Sequence, residues 1–97
     1  MSLGKTRTVT VNSVAATAIA AAVYSSELTV NEDPSVANWP TTDYLVSKPT
    51  SADAQRRIPA GQAYTFRRNA GVFVPGEVVG YVQTVSGSTT FAVDEAG

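Results

Sequence analysis

Residues 57–67 read Arg57-Ile58-Pro59-Ala60-Gly61-Gln62-Ala63-Tyr64-Thr65-Phe66-Arg67, and this stretch decides the fold class. Pro59 fixes its own φ and drives Ile58 toward an extended backbone, while Gly61 supplies the positive φ that a tight turn needs. From Gln62 onward the residues alternate, which puts Tyr64 and Phe66 on one face of a strand and Thr65 and Arg67 on the other. A turn that launches a two-faced strand is the unit from which antiparallel sheets are built.

The same unit recurs on both sides. Downstream, Arg67 to Gly71 reads as a turn, Val72-Phe73-Val74 as a short buried strand and Pro75-Gly76 as its stop. Glu77 to Val85 is the longest strand candidate, with Gly80 marking a bulge or a close approach of backbones. Ser86-Gly87-Ser88 is expected to turn it back into a hairpin with Thr89 to Asp94, Phe91 and Val93 facing inward. Upstream, Thr50 to Arg57 reads as a polar connection, and Asp43 to Lys48 as a strand with Tyr44 and Val46 on one face and Leu45 on the other. Ser35 to Thr42 is a loop carrying Trp39, the only tryptophan; Glu27 to Val30 is a strand with Leu28 and Val30 inward, stopped by Asn31-Glu32-Asp33-Pro34.

The N-terminal part is less regular. Arg7, Val9 and Val11 alternate with Thr6, Thr8 and Thr10 as a first strand. Val14 to Val23 holds six alanines, with Ser13 as a possible cap, but shows no amphipathic period, so an extended or irregular crossover is expected in place of a helix. Lys5, Arg7 and this alanine run imitate a secretory signal, yet the apolar part follows a polar run and is too short to span a bilayer, which takes about 20 residues. The chain is expected to be soluble, with neither signal peptide nor transmembrane segment.

Composition agrees with strands: 14 Val, 12 Thr and 2 Ile stand against 3 Leu. The expected fold is all-β, a small β-sandwich or jelly-roll-like barrel of about seven or eight short antiparallel strands. Residues 1–97 form a single domain, 1–26 giving the first strand and the Ala-rich crossover and 27–97 the main sandwich.

Absent residue types limit the chemistry. Without cysteine no disulfide or thiolate metal site can form, and without histidine the commonest general base, metal ligand and pH switch are missing. A net charge of -1 removes the bulk electrostatic argument for nucleic acid. The adjacent acids Glu32-Asp33 and Asp94-Glu95 are candidates for glycosidase-like chemistry, but neighbours on a strand point to opposite faces, and the plain reading is exposed turn and terminus acids. No catalytic residue, metal, cofactor or small-molecule substrate is expected, and the chain reads as a non-enzyme.

Two features point to binding. Trp39 either plugs an end of the sandwich or stands out as an anchor, in which case Trp39 with Tyr44 would make a platform for a carbohydrate or receptor. Four acids and no base lie between Glu27 and Asp43, whereas Lys48 to Arg68 holds five bases and one acid. The two segments either neutralise each other within one copy or pack acid to base between copies, with Arg56, Arg57, Arg67, Arg68, Glu32, Asp33 and Trp39 as interface residues. Pro59, Gly61, Tyr64, Phe66, Gly80 and Phe91 are the structural positions.

The Ile58-Pro59-Ala60-Gly61 turn resembles one in cupins, but Gln62, Ala63 and Tyr64 stand where those proteins place metal-binding histidines. That removes a metal-dependent cupin and leaves a jelly-roll-like sandwich open. As a whole, the order "ELTVNED", "DYLVSKP", "IPAGQAYTF" and the closing "GEVVGYVQTVSGSTTFAVDE" resembles the small β-sandwich structural proteins of tailed bacteriophage virions. The resemblance implies a capsid decoration or head-associated protein that stabilises the shell, located in the virion. Its implied partners are other virion proteins, the major capsid protein among them, and copies of itself; no membrane is expected, and nucleic acid at Arg56, Arg57, Arg67 and Arg68 is the less favoured alternative.

Overall fold

The structure is a computed structural model and describes residues 5–48, 51–67 and 71–96. Among them there are strands and no helix, so no helix is long and apolar enough to cross a membrane. The strands are β1 (Lys5–Val11), β2 (Thr17–Ala20), β3 (Glu27–Glu32), β4 (Tyr44–Lys48), β5 (Ser51–Ile58), β6 (Tyr64–Arg67), β7 (Val78–Thr84) and β8 (Thr89–Ala96).

They form two four-stranded antiparallel sheets, in the orders β1-β8-β3-β6 and β2-β7-β4-β5. The pairs β1 with β8, β2 with β7, β3 with β6 and β4 with β5 are those of one long hairpin whose tip is β4–β5. Successive pairs alternate between the sheets, and the contacts of β8 with β3 and of β7 with β4 roll the hairpin up. The result is an eight-stranded jelly roll, a sandwich of two sheets and not a closed barrel.

The period-2 pattern of the strands fills the space between the sheets. Val11, Leu28, Val30, Phe66, Phe91 and Val93 come from one sheet, and Ile19, Tyr44, Val46, Ile58, Val79 and Val82 from the other. Each such side chain contributes about 1.5–3 kcal/mol by leaving water. Tyr44 and Phe91 meet edge to face across the core at 4.8 Å between ring centroids.

The opening stretch forms as its residues require. Gln62 N–H donates to Pro59 C=O at 3.1 Å and Gly61 has φ 84°, the geometry of a type II turn. Tyr64 and Phe66 share a face, their rings edge to face at 5.0 Å. Gly80 serves both expected purposes. The β2–β7 register slips beside it, with Ile19 opposite Gly80 but Ala20 opposite Val78. A Cβ at Gly80 would also lie 2.4 Å from the Phe66 ring and 2.6 Å from the Ser47 carbonyl oxygen.

Several expectations are corrected. Thr89–Ala96 does not pair with β7, because Ser86-Gly87-Ser88 carries the chain from one sheet to the other. The inward residues of these two strands face each other through the core, a relation that the same alternation and the same turn permit as readily as a hairpin. The polar connection at 50–57 is mostly strand β5, an edge strand held by pairing with β4 although its sequence is poor in β-branched residues. Val72-Phe73-Val74 is not a buried strand: only Phe73 is buried, through an isolated bridge with Ser25. Val14–Val23 holds no helix, as expected, and Thr17–Ala20 within it is extended as strand β2. Strand β3 runs on through Glu32, two residues past its expected stop. Of the expected turn at 67–71, residues 68–70 lie outside the described residues.

Candidate functional site

The roll has two poles. At one lie the connections β1–β2, β3–β4, β5–β6 and β7–β8; at the other lie β2–β3, β4–β5 and β6–β7. Each pole contains a buried glutamate, contrary to the expectation of exposed acids. Glu32, on the last position of β3, falls on the inward row after Leu28 and Val30 and is wholly buried. Its carboxylate accepts the Thr41 N–H at 3.0 Å, the Thr41 hydroxyl at 2.5 Å and the Thr89 hydroxyl at 3.2 Å. These bonds tie the long β3–β4 loop to the sheet. Asp33 points the other way and caps its own turn, accepting the Ser35 N–H and hydroxyl at 2.9 Å, which hold its carboxyl below the usual range. Of the pair, Asp33 and not Glu32 is available at the surface.

At the opposite pole Glu95 is inward while Asp94 is exposed. The Glu95 carboxylate accepts the Ala22 N–H at 3.0 Å and the Ser25 hydroxyl at 3.2 Å, and forms an ion pair with Arg7. Burial pushes Glu95 up, but the Ala22 amide and the Arg7 guanidinium outweigh it and hold its pKa below the ordinary value. Arg7 also donates to the Ala20 carbonyl, so β1, β8 and the β2–β3 loop are fastened at one point.

The two buried glutamates do not converge for acid–base chemistry. Glu32 is opposite Phe91 in the register, so Glu95 lies four residues further along β8, roughly 14 Å away at about 3.4 Å per residue. That exceeds the ~6.5–9.5 Å over which an inverting carboxylate pair works. Among the described residues no group of three or more metal-ligating side chains comes together.

Trp39 neither plugs the pole completely nor stands free. It is 40% exposed, its Nε1 donates to the Glu32 carbonyl at 3.2 Å, and its ring lies over the turn at Gly61, where a Cβ would come within 3.7 Å of it. Tyr44, its expected partner in a sugar platform, is wholly buried with its hydroxyl on the Gln62 carbonyl. The two rings therefore form no joint surface, because β4 turns Tyr44 inward.

The arginines divide. Arg57 pairs with Asp43 at 2.9 Å and Arg67 with Glu27 at 2.8 Å, both within the chain. The Asp43 carboxylate also accepts the Ala60 N–H, which with Arg57 holds its pKa low. The acidic and basic segments thus neutralise each other in part within one copy. Arg68 lies outside the described residues. Arg56 lies opposite Val46 in the β4–β5 register and so on the inward-facing row of an edge strand. There it lines a pocket of ≈ 200 Å³ with Val46, Ser47, Lys48, Tyr64 and Phe66, where the two sheets part between β5 and β6.

Sequence reasoning missed the burial of Glu32 and Glu95 and the inward aim of Arg56. The first was readable from alternation, since Leu28, Val30 and Glu32 are spaced by two, as are Phe91, Val93 and Glu95. A search of protein-family models finds no match for the chain, and searches of curated proteins and of solved structures find none either.

Proposed function

We propose that this chain is a non-enzymatic structural protein of a tailed-phage particle, a decoration or head-associated protein that fastens to the shell through protein–protein contacts. One observation carries the reading: large apolar side chains stand exposed at both poles of a domain whose buried carboxylates and several surface charges are engaged internally. Val14, Trp39 and Val85 lie at one pole, and Tyr24, Val72 and Val74 at the other. The bridge between Ser25 and Phe73 sets Tyr24 beside Val74, so these side chains form a patch. Apolar patches on a soluble domain mark contact with other proteins. The jelly roll suits the role, since capsid domains use it, and the sequence resemblance supplies the particle.

The test is composition and binding. Purified particles of the phage that encodes the chain are expected to contain it in a fixed ratio to the major capsid protein, and shells lacking it to take it up in co-sedimentation. Particles without the chain, together with a purified protein that stays monomeric and ignores shells, would overturn the reading.

A further inference from the structure

We propose that the seam between β5 and β6 is a docking site for an extended acidic segment of another protein, which adds to the free edge of β6 and places a carboxylate between Lys48 and Arg56. The site shares with the proposed function only the premise that the chain works by holding another protein.

Three observations on the seam converge. The first is the edge. β6 pairs with β3 on one side and, among the described residues, with nothing on the other, and β5 likewise pairs only with β4. Backbone N–H and C=O groups alternate sides along a strand, so two of the four residues Tyr64–Arg67 present them to an incoming strand. Strand addition uses such an edge for main-chain hydrogen bonds and a neighbouring pocket for one side chain.

The second observation is the chemistry of that pocket. Val46, Tyr64 and Phe66 give it apolar walls, Lys48 and Arg56 add two cations, and no acid is among its described lining residues. A volume of ≈ 200 Å³ is below the ~300–1,000 Å³ of cofactor and small-molecule sites and fits a side chain with an apolar stem and a charged head. A glutamate meets that description, its methylenes against the rings and its carboxylate at the cations.

The third is that, among the described side chains, four of the chain's acids are engaged elsewhere. Asp43 holds Arg57, Glu27 holds Arg67, and Glu32 and Glu95 are buried at the poles. In this proposal the anion that complements Lys48 and Arg56 comes from a partner. An inward-facing arginine on an edge strand also deters indiscriminate strand pairing, and an acidic segment is the one that converts this deterrent into an attraction.

The test uses the whole chain, isotope-labelled for amide NMR, and a blocked six-residue peptide alternating valine and glutamate, with its valine–lysine counterpart as control. The glutamate peptide is expected to shift the amides of Tyr64–Arg67, Lys48 and Arg56, and to bind about tenfold more tightly than the lysine peptide at low salt. Arg56→Glu, a change on an exposed side chain, is expected to reverse that preference, which loss of folding could not do. Equal binding of the two peptides, shifts elsewhere, or a preference unmoved by Arg56→Glu would sink the proposal. So would glutarate alone producing the same shifts, which marks a small-anion site, or dilution removing them without peptide, which marks a second copy. Shell binding is read separately by co-sedimentation, so a chain that ignores the peptide but coats shells loses this inference and keeps the proposed function.

Discussion

The two poles solve one problem with different chemistry. Each must fasten a loop to the end of a sheet, and each does so with a glutamate on the inward row of a strand. At Glu95 the carboxylate faces a guanidinium, backbone amides and a hydroxyl. At Glu32 the donors that it meets are one amide and two hydroxyls. The difference is one of adaptability: a hydroxyl can donate or accept, whereas a guanidinium only donates. The Glu95 pole is therefore committed to an anion, and the Glu32 pole to a shape.

The largest expected effect is at the committed pole. Glu95→Ala is expected to cost about 3 kcal/mol in urea unfolding, because it leaves Arg7 half-buried without its anion. Glu32→Ala is expected to cost about 2 kcal/mol, for it leaves the Thr41 amide and the Thr41 and Thr89 hydroxyls without their acceptor but strands no buried charge. Equal costs would erase the distinction.

The amide variants sharpen it. Glu32→Gln is expected to stay within about 1 kcal/mol of the parent, since Thr41 and Thr89 can rotate their hydroxyls to accept from the new NH2 group. Glu95→Gln is expected to cost about 2 kcal/mol, for Arg7 has no acceptor to offer.

Acid titration probes the Glu95 pole in another way. Folding lowers the Glu95 pKa from its ordinary 4.5, so its ionised form favours the folded state. That contribution is complete above about pH 4.5 and is lost as the pH falls through the lower folded value. Unfolding curves followed from pH 6 downward are expected to show the loss in the parent and a shallower slope in Glu95→Gln.

Fluorescence then tests whether the poles are independent. Glu32→Ala frees the loop that holds Trp39 and is expected to red-shift its emission, whereas Glu95→Ala is expected to leave the emission of the folded protein unchanged. The smallest effect belongs to the exposed rim of the Glu95 pole: Arg67→Ala severs an exposed ion pair with Glu27 and is expected to change stability by less than about 0.5 kcal/mol.

How much of this was legible depended on the range of the interaction that decides each feature. The turn at Pro59 to Gln62, the inward faces of β3, β4 and β8, and the special role of Gly80 follow from local rules of φ and alternation. The partner of Thr89–Ala96 does not, because a Ser-Gly-Ser turn can join neighbours in one sheet or strands in two, and only the competing claims of β1 and β3 decide. Strand β5 was hidden for a similar reason: its residues do not favour a strand, and pairing with β4 makes it one. At the candidate site the arginine pairs were visible as charges, but whether each meets an acid of its own chain depends on strand order. Arg57 and Arg67 do so, while Arg56 is turned inward by its register with Val46.

The rolled hairpin also gives the molecule a direction. Because β1 and β8 are its two outermost strands, Lys5 sits opposite Glu95 in the register, and the start of β1 and the end of β8 both lie at the pole that holds the Glu95 clasp. A label attached at the start of β1 or at the end of β8 would sit at that pole, leaving the Trp39 pole bare. Used as a display scaffold, the domain could carry cargo on one pole while the other stays free to touch a surface.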